Sequence, residues 1–328
     1  MNKLPKIIVI CGPTASGKTD LAISLAKKFH GEVICADSRT VYKGMDIGTA
    51  KPIRKGQKQH KDRYGFPYYT VKGIPHYTLD IVPPNKTYSV AEFKELSLAV
   101  IHSMLKRNKV PFIVGGTGLY IKALVDNLDF PQGNITSTTR KRLEKELRAH
   151  GLPFLVKKLF TLDPAARNFI DTKNPRRVLR ALEVTIATKT PFSQQRAVGA
   201  PLFNTLQLGI TVDKKTLKKR ISLRIDKMLR SGFLDEVKKL KKIYGCSSPA
   251  MSGIGYRQMC RFYAKELSFE EATENFKKGD LHYAKRQMTW FKKDKRIKWI
   301  TNNPRLPAGK ASKAEVVAKK FLKTTGRV

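Results

Sequence analysis

The chain has 328 residues, 41% of them hydrophobic, which is enough for a large core and two domains. Sixty-five Lys and Arg against 26 Asp and Glu leave a formal net charge of +39, more than an enzyme of small metabolites requires. That charge points to a polyanionic partner, most simply nucleic acid. No apolar run approaches the roughly 18 residues of a membrane-spanning helix, and the first one ends in Gly12-Pro13, unlike a signal peptide.

A cytoplasmic monomer with no membrane partner is therefore expected. The four cysteines, Cys11, Cys35, Cys246 and Cys260, form no C-x-x-C pair and accompany no His cluster. This predicts a reducing compartment, no disulfide and no zinc site.

Lys6-Ile7-Ile8-Val9-Ile10-Cys11 reads as a buried parallel strand. Gly12-Pro13-Thr14-Ala15-Ser16-Gly17-Lys18-Thr19 follows and fits G-x-x-x-x-G-K-[ST], the phosphate-cradling P-loop. A helix with Leu21, Ala22, Leu25 and Ala26 on one face begins at Thr19. In this setting backbone N–H groups and the helix N-terminus hold phosphate oxygens, Lys18 adds a mobile cation, and the Thr19 hydroxyl reaches Mg²⁺. The loop does not say which phosphate compound binds, and a nucleotide kinase or ATPase fits it equally.

Glu32-Val33-Ile34-Cys35-Ala36 reads as a second strand ending at Asp37. Ligands of open parallel sheets lie beyond the carboxyl ends of strands, so Asp37 falls near the P-loop. From there it either holds Mg²⁺ or does more specific work.

Asp37-Ser38-Arg39-Thr40-Val41-Tyr42-Lys43-Gly44-Met45-Asp46-Ile47-Gly48-Thr49-Ala50-Lys51-Pro52 resembles the signature of the tRNA dimethylallyltransferases, D-S-x-Q-V-Y-x-G-M-D-I-G-T-A-K-P. Thr40 departs from it, standing where the family often has Gln. Further motifs resemble that family in order. Ile74-Pro75-His76-Tyr77 stands for V-P-H-H, with Tyr77 in place of the second His, and Gly115-Gly116-Thr117 ends the strand Val110–Val114. Asn174-Pro175-Arg176-Arg177 opens a helix, Gly255-Tyr256-Arg257-Gln258 matches G-Y-[RK]-Q, and Lys285-Arg286-Gln287-Met288-Thr289-Trp290 matches K-R-Q-x-T-W.

Between these motifs, residues 53–73 mix Arg54, Lys55, Lys58, Lys61 and Arg63 with Tyr64, Phe66, Tyr68 and Tyr69. That composition suits either an RNA contact or a solvated surface hairpin. Residues 128–204 lose strand patterns and gain helical ones at Thr139–Leu147, Pro153–Leu162 and Pro175–Thr188. Arg220 and Arg224 are i,i+4 neighbours on a later helix, suited to gripping phosphate oxygens bidentately unless Asp226 ties one down.

The fold expected is α/β: a P-loop NTPase-like parallel sheet flanked by helices, residues 1–127 and 205–328, with an all-α insertion at 128–204 for tRNA binding. The resemblance implies transfer of a dimethylallyl group from dimethylallyl diphosphate to N6 of the adenosine 3′ to the anticodon, in tRNAs reading codons that start with U. Asp37 is then the base, Lys18, Thr19, Arg220 and Arg224 act on the diphosphate, and Mg²⁺ is the cofactor. It assigns the tRNA anticodon stem-loop to Asp37, Ser38, Arg39, Thr40, Thr117, Arg140, Arg176, Arg177 and Arg180. The matches at Gly255, Tyr256, Arg257, Gln258, Lys285, Arg286, Gln287 and Trp290 extend that surface. Prenylation of free AMP or ADP, and an RNA-binding P-loop kinase, are the competing expectations.

Overall fold

A computed structural model describes residues 4–54, 56–130, 137–195, 198–301 and 312–323. Lys55 of the basic segment therefore lies outside the described residues. The chain divides into two compact units, Met1–Val125 with Leu202–Val328, and Asp126–Pro201.

The first unit is built on an eight-stranded sheet. In chain order its elements begin β1 (Lys6–Cys11), α1 (Lys18–Lys28), β2 (Gly31–Ala36), β3 (His60–Lys61), β4 (Pro67–Val71) and β5 (Ile74–Tyr77). There follow α2 (Val90–Lys106), β6 (Val110–Gly115) and α3 (Gly118–Val125). In the second unit lie α4 (Ser137–Leu162) and α5 (Pro175–Thr188). The first unit resumes with β7 (Asn204–Thr211), α6 (Lys214–Arg230), α7 (Phe233–Tyr244), α8 (Tyr256–Tyr263), α9 (Phe269–Phe291), β8 (Lys298–Thr301) and α10 (Lys313–Lys323).

Strand order is β3-β4-β5-β2-β6-β1-β7-β8. From β5 to β8 all neighbours are parallel, whereas β3, β4 and β5 form antiparallel pairs. The sheet is thus mixed, not purely parallel. The cause is local: Lys72 (φ 48°) and Gly73 (φ 86°) join β4 to β5 as a two-residue turn with both residues left-handed. That is the geometry that matches the twist of a hairpin.

Alternation along β1 supplies both faces of the core. Ile7, Val9 and Cys11 pack with Phe93, Val100, Ile101 and Tyr120 of α2 and α3. Ile8 and Ile10 pack with Ala22, Leu25 and Ala26 of α1 and with Ala314 and Ala318 of α10. A separate cluster joins Ile221, Ile225, Phe233, Val237, Tyr256 and Phe276 of α6 to α9 with Val41, Tyr42 and Met45 of the loop after β2.

In the second unit Leu143, Leu155 and Leu159 of α4 pack on Val178, Leu179 and Leu182 of α5. The two helices expected at Thr139–Leu147 and Pro153–Leu162 run on as α4, interrupted at Gly151 by a non-helical backbone (φ 77°, ψ 175°). Asn174 caps α5 by accepting the Arg176 N–H at 3.1 Å.

The expectation of four free thiols is corrected. Cys246 and Cys260 form a disulfide, with Cα atoms 5.9 Å apart. The short helical turn Ala250–Ser252 folds α8 back onto α7 and brings the two together, a proximity that a spacing of 14 residues does not announce. Cys11 and Cys35 are free.

Candidate active site

β1 delivers the glycine loop to the carboxyl edge of the sheet. Gly12 adopts φ 145°, and a Cβ there would lie 2.9 Å from the Ile210 carbonyl oxygen of β7, so only glycine fits. Ala15 (φ 59°) and Gly17 (φ 88°) are left-handed, which turns successive N–H groups to one side ahead of α1. Lys18 folds back across the loop, donating to the Pro13 carbonyl at 2.6 Å. Burial lowers its pKa to about 8, with Arg224 pushing the same way and Asp37 opposing.

Gln287 of α9 fixes this loop from outside. Its Oε1 accepts the Thr14 N–H at 2.8 Å, and its Nε2 donates to the Gly116 carbonyl at 2.9 Å. Arg224 of α6 donates to the Thr14 hydroxyl at 2.7 Å and to Asp280 of α9 at 2.5 Å. Burial raises the Asp280 carboxyl and the Arg224 charge opposes it. The Arg224 Nε–H remains buried without a partner, a donor left over beside the cradle. Arg220, one turn earlier, lines the same cavity. Asp226 pairs with Lys277 at 3.1 Å and ties down neither arginine.

Asp37 follows β2 directly and its Oδ1 accepts the Arg39 N–H at 2.8 Å. The Thr117 hydroxyl accepts the Ser38 N–H at 3.1 Å, pinning this turn to the end of β6. Burial, followed by the Asp37 charge, raises the phenol of Tyr283 on α9, and Thr117 and Gln287 oppose the rise. Thr40 is buried, with its hydroxyl 3.5 Å from the Asp37 carbonyl.

A single cavity of about 890 Å³ unites these groups: Thr14 to Thr19, Asp37, Thr40, Arg220 and Arg224 line it with Val33, Leu79 and Val114. His76 lines it too. Burial lowers the His76 pKa to about 4, its Nδ1 donates to the Ile74 carbonyl at 2.9 Å, and its Nε2 has no partner. A phosphate cradle, an apolar wall and a carboxylate thus share one enclosure, suited to an anion with an apolar tail and to proton removal beside it.

Other expected contact residues divide in two. Arg176, Arg177, Arg180, Arg257, Lys285 and Arg286 are exposed, and Trp290 is 41% exposed with its ring against Gly118. Arg39 reaches toward the Pro249 and Ala250 carbonyls at 3.4 Å. The side chains of the others are engaged within the protein. Gln287 clamps the P-loop, Gln258 accepts the Gly255 N–H at 2.8 Å, and the Tyr256 hydroxyl donates to Glu236 at 2.6 Å. Gly255, at φ 88°, is packed so closely that a Cβ would meet the Phe276 ring. Arg140 is held by Glu144 at 2.7 Å and Glu183 at 3.1 Å within the second unit. Asp280, Tyr283 and Glu236 escaped the sequence reading. The one sequence signal is the spacing Asp280, Tyr283, Gln287, which lies along one face of a helix.

The family model described as IPP transferase matches residues 40–294. This chain belongs to the IPP transferase family. A second model, isopentenyl transferase, matches residues 5–64, the P-loop end. A tRNA dimethylallyltransferase of Acetivibrio thermocellus is 42% identical over 92% of this chain and 93% of its own. One from Pelotomaculum thermopropionicum is 40% identical over 91% of each chain. Among solved structures, the tRNA isopentenylpyrophosphate transferase of Bacillus halodurans aligns with a TM-score of 0.64 at 35% identity, covering 90% of this chain and 89% of that one. A eukaryotic dimethylallyltransferase acting on tRNA aligns with a TM-score of 0.73 at 27% identity, covering 90% and 74%.

Proposed function

We propose that this member of the family moves the dimethylallyl group of dimethylallyl diphosphate to N6 of the adenosine 3′ to the anticodon in tRNAs that read codons starting with U. One observation carries the reading: Lys18, Arg220, Arg224 and Asp37 line the same cavity as the apolar Val33, Leu79 and Val114. A kinase would need the cradle but no apolar wall ending at a carboxylate.

The N6 lone pair attacks the allylic carbon, the carbon–oxygen bond breaks, and its electron pair leaves with the diphosphate. Charge grows on that leaving group. The loop N–H groups, Lys18, Arg220 and the spare Nε–H of Arg224 stabilise it without reorganising. The N6 amine is a weak nucleophile because its lone pair is delocalised into the ring. Asp37 accepts its proton, and a positioned base contributes about 10²–10⁴-fold. The adenine must leave its stack to reach this site.

Among the described residues no group of three or more His, Cys, Asp or Glu side chains gathers for a metal. The protein's share of a Mg²⁺ site is therefore small. The Thr19 hydroxyl lines the cavity, and a hard cation held by one hydroxyl, substrate phosphate oxygens and water suits Mg²⁺. When bound, that ion supplies further positive charge to the departing diphosphate.

The exposed Arg176, Arg177 and Arg180 of α5, with Arg257, Lys285, Arg286 and Trp290, supply phosphate and stacking contacts for the anticodon stem-loop. The Asp126–Pro201 unit serves that binding. No described helix is long and apolar enough to cross a membrane, and the reaction belongs in the cytoplasm with its tRNA substrate.

Incubation with labelled dimethylallyl diphosphate and either bulk tRNA or AMP tests this. Nucleoside mass spectrometry is expected to find N6-isopentenyladenosine in the tRNA. Label on AMP alone, or ATP turnover without prenyl transfer, would overturn it.

A further inference from the structure

One carboxylate outside the catalytic cavity is bound unusually fully. Glu236, in the first turn of α7, accepts the N–H groups of Asp46 at 2.9 Å, Ile47 at 2.7 Å and Gly48 at 3.1 Å. The Tyr256 hydroxyl of α8 adds a fourth bond at 2.6 Å. Three successive backbone N–H groups aimed at one point make an anion seat of the kind that elsewhere takes phosphate. Here the protein fills the seat with its own side chain.

The turn so held also packs on rigid neighbours on that side. Gly48 lies flush against two rings: a Cβ there would come 2.2 Å from Phe233 and 2.6 Å from Tyr256. Those rings meet edge to face at 5.1 Å, so the surface beneath the turn is itself rigid. On the other side, the buried Lys51 ammonium donates to the Tyr42 carbonyl at 2.6 Å and to Asp46 at 2.7 Å, and also to Asp80. The Thr49 hydroxyl donates to the Met45 carbonyl at 2.5 Å. Thr49 and Ala50 lie between the two anchors, Pro52 directly follows Lys51, and all three line the cavity that holds the P-loop.

We propose that Glu236 is a positioning residue for the prenyl-diphosphate pocket. It holds the Asp46–Gly48 turn so that Thr49, Ala50 and Pro52 keep their place in the cavity lining. This rests on the prenyl-diphosphate reading above. Glu236 touches no substrate and acts through the backbone it binds. Loss of this anchor frees one wall of a pocket whose cradle and base stay in place, so affinity for the small substrate suffers first.

Glu236→Gln tests it, because the amide sets a donor against the turn's donors at nearly constant volume. Calorimetric titration with dimethylallyl diphosphate is expected to show a Kd about tenfold weaker, as for loss of hydrogen bonds to a charged group. The KM for that substrate should rise in parallel, while the KM for tRNA stays and kcat at saturation changes by about threefold or less. Gly48→Ala, which pushes the same turn off the Phe233 and Tyr256 rings with Glu236 intact, should reproduce the pattern. A folded Glu236→Gln protein with wild-type Kd and KM would overturn the proposal. So would a uniform fall of kcat, both KM-dependent rates and thermal midpoint, which marks a merely structural role. Wild-type binding of the diphosphate without tRNA prenylation would instead overturn only the functional reading.

Discussion

The Arg224 guanidinium and the Thr14 hydroxyl meet at 2.7 Å, tying α6 to the phosphate loop across 210 residues of sequence. With Asp280 on its other edge, Arg224 is oriented before any ligand arrives. Arg224→Ala is therefore expected to lower kcat/KM for the prenyl diphosphate by about 10²-fold or more, as for removal of one preorganised donor. Asp280→Asn keeps the arginine but loosens it, and should cost less than Arg224→Ala. Steady-state kinetics with both variants check the ranking; equal losses would place the two residues in one indivisible unit.

Lys18 sets an alkaline limit. Its pKa of about 8 leaves the ammonium charged below that pH and neutral above it. Since kcat/KM reports the free enzyme, the value for prenyl diphosphate should fall as pH rises through about 8. Lys18→Arg keeps its charge throughout, so its profile, though lower, should lose that limb. An identical limb in the variant assigns the titration elsewhere.

Asp37→Asn preserves the acceptor for the Arg39 N–H and removes the base. Turnover is expected to fall by about 10²-fold or more with tRNA affinity nearly unchanged. Single-turnover rates and filter binding measure the two separately.

Arg176 and Arg180 stand exposed on α5, and Arg180 has only a loose 3.8 Å pair with Glu183. The double Ala variant should weaken tRNA binding and flatten the dependence of log K on log salt by about one unit for each phosphate no longer neutralised. Unchanged slope with weaker binding would show that they act through the fold of the second unit.

His76 predicts acid sensitivity. Its folded pKa is lowered to about 4, whereas the unfolded chain takes the proton near 6.5. The unfolded state thus binds more protons in between, so the contribution is complete above about 6.5 and is lost as pH falls toward 4. The full loss is on the order of 3 kcal/mol. His76→Asn retains a donor for the Ile74 carbonyl but does not titrate. Urea midpoints at pH 7 and pH 4.5 should fall further in the wild type than in this variant.

The phosphate cradle was legible because everything it needs is consecutive: strand, glycines, Lys18, helix. Asp37 was legible for the same reason, as the residue after a buried strand. What sets those groups in place was not, since it comes from far along the chain. Gln287 reaches Thr14 over 273 residues, and Asp280 reaches Arg224 over 56. A glutamine inside a basic, aromatic motif reads as an RNA contact, and only burial shows that its amide is spent on the P-loop. The basic composition of residues 53–73 left an RNA contact and a solvated surface hairpin both open; β4 and β5 do form a hairpin, but one whose second strand pairs with β2 and so joins the main sheet, which charge alone does not announce. Glu236 bore no signal at all, because three of its four partners are backbone N–H groups and the fourth, Tyr256, lies 20 residues away.

The two margins of the sheet share a design. One ends in β3, two residues long with both exposed, His60 and Lys61; the other ends in β8, four residues with Lys298 at its start. Short, cationic borders give a second copy almost no ladder to extend and repel it by charge. A molecule carrying this much positive charge can then present its basic surface to a polyanion while its own strands refuse to zip onto those of its neighbours.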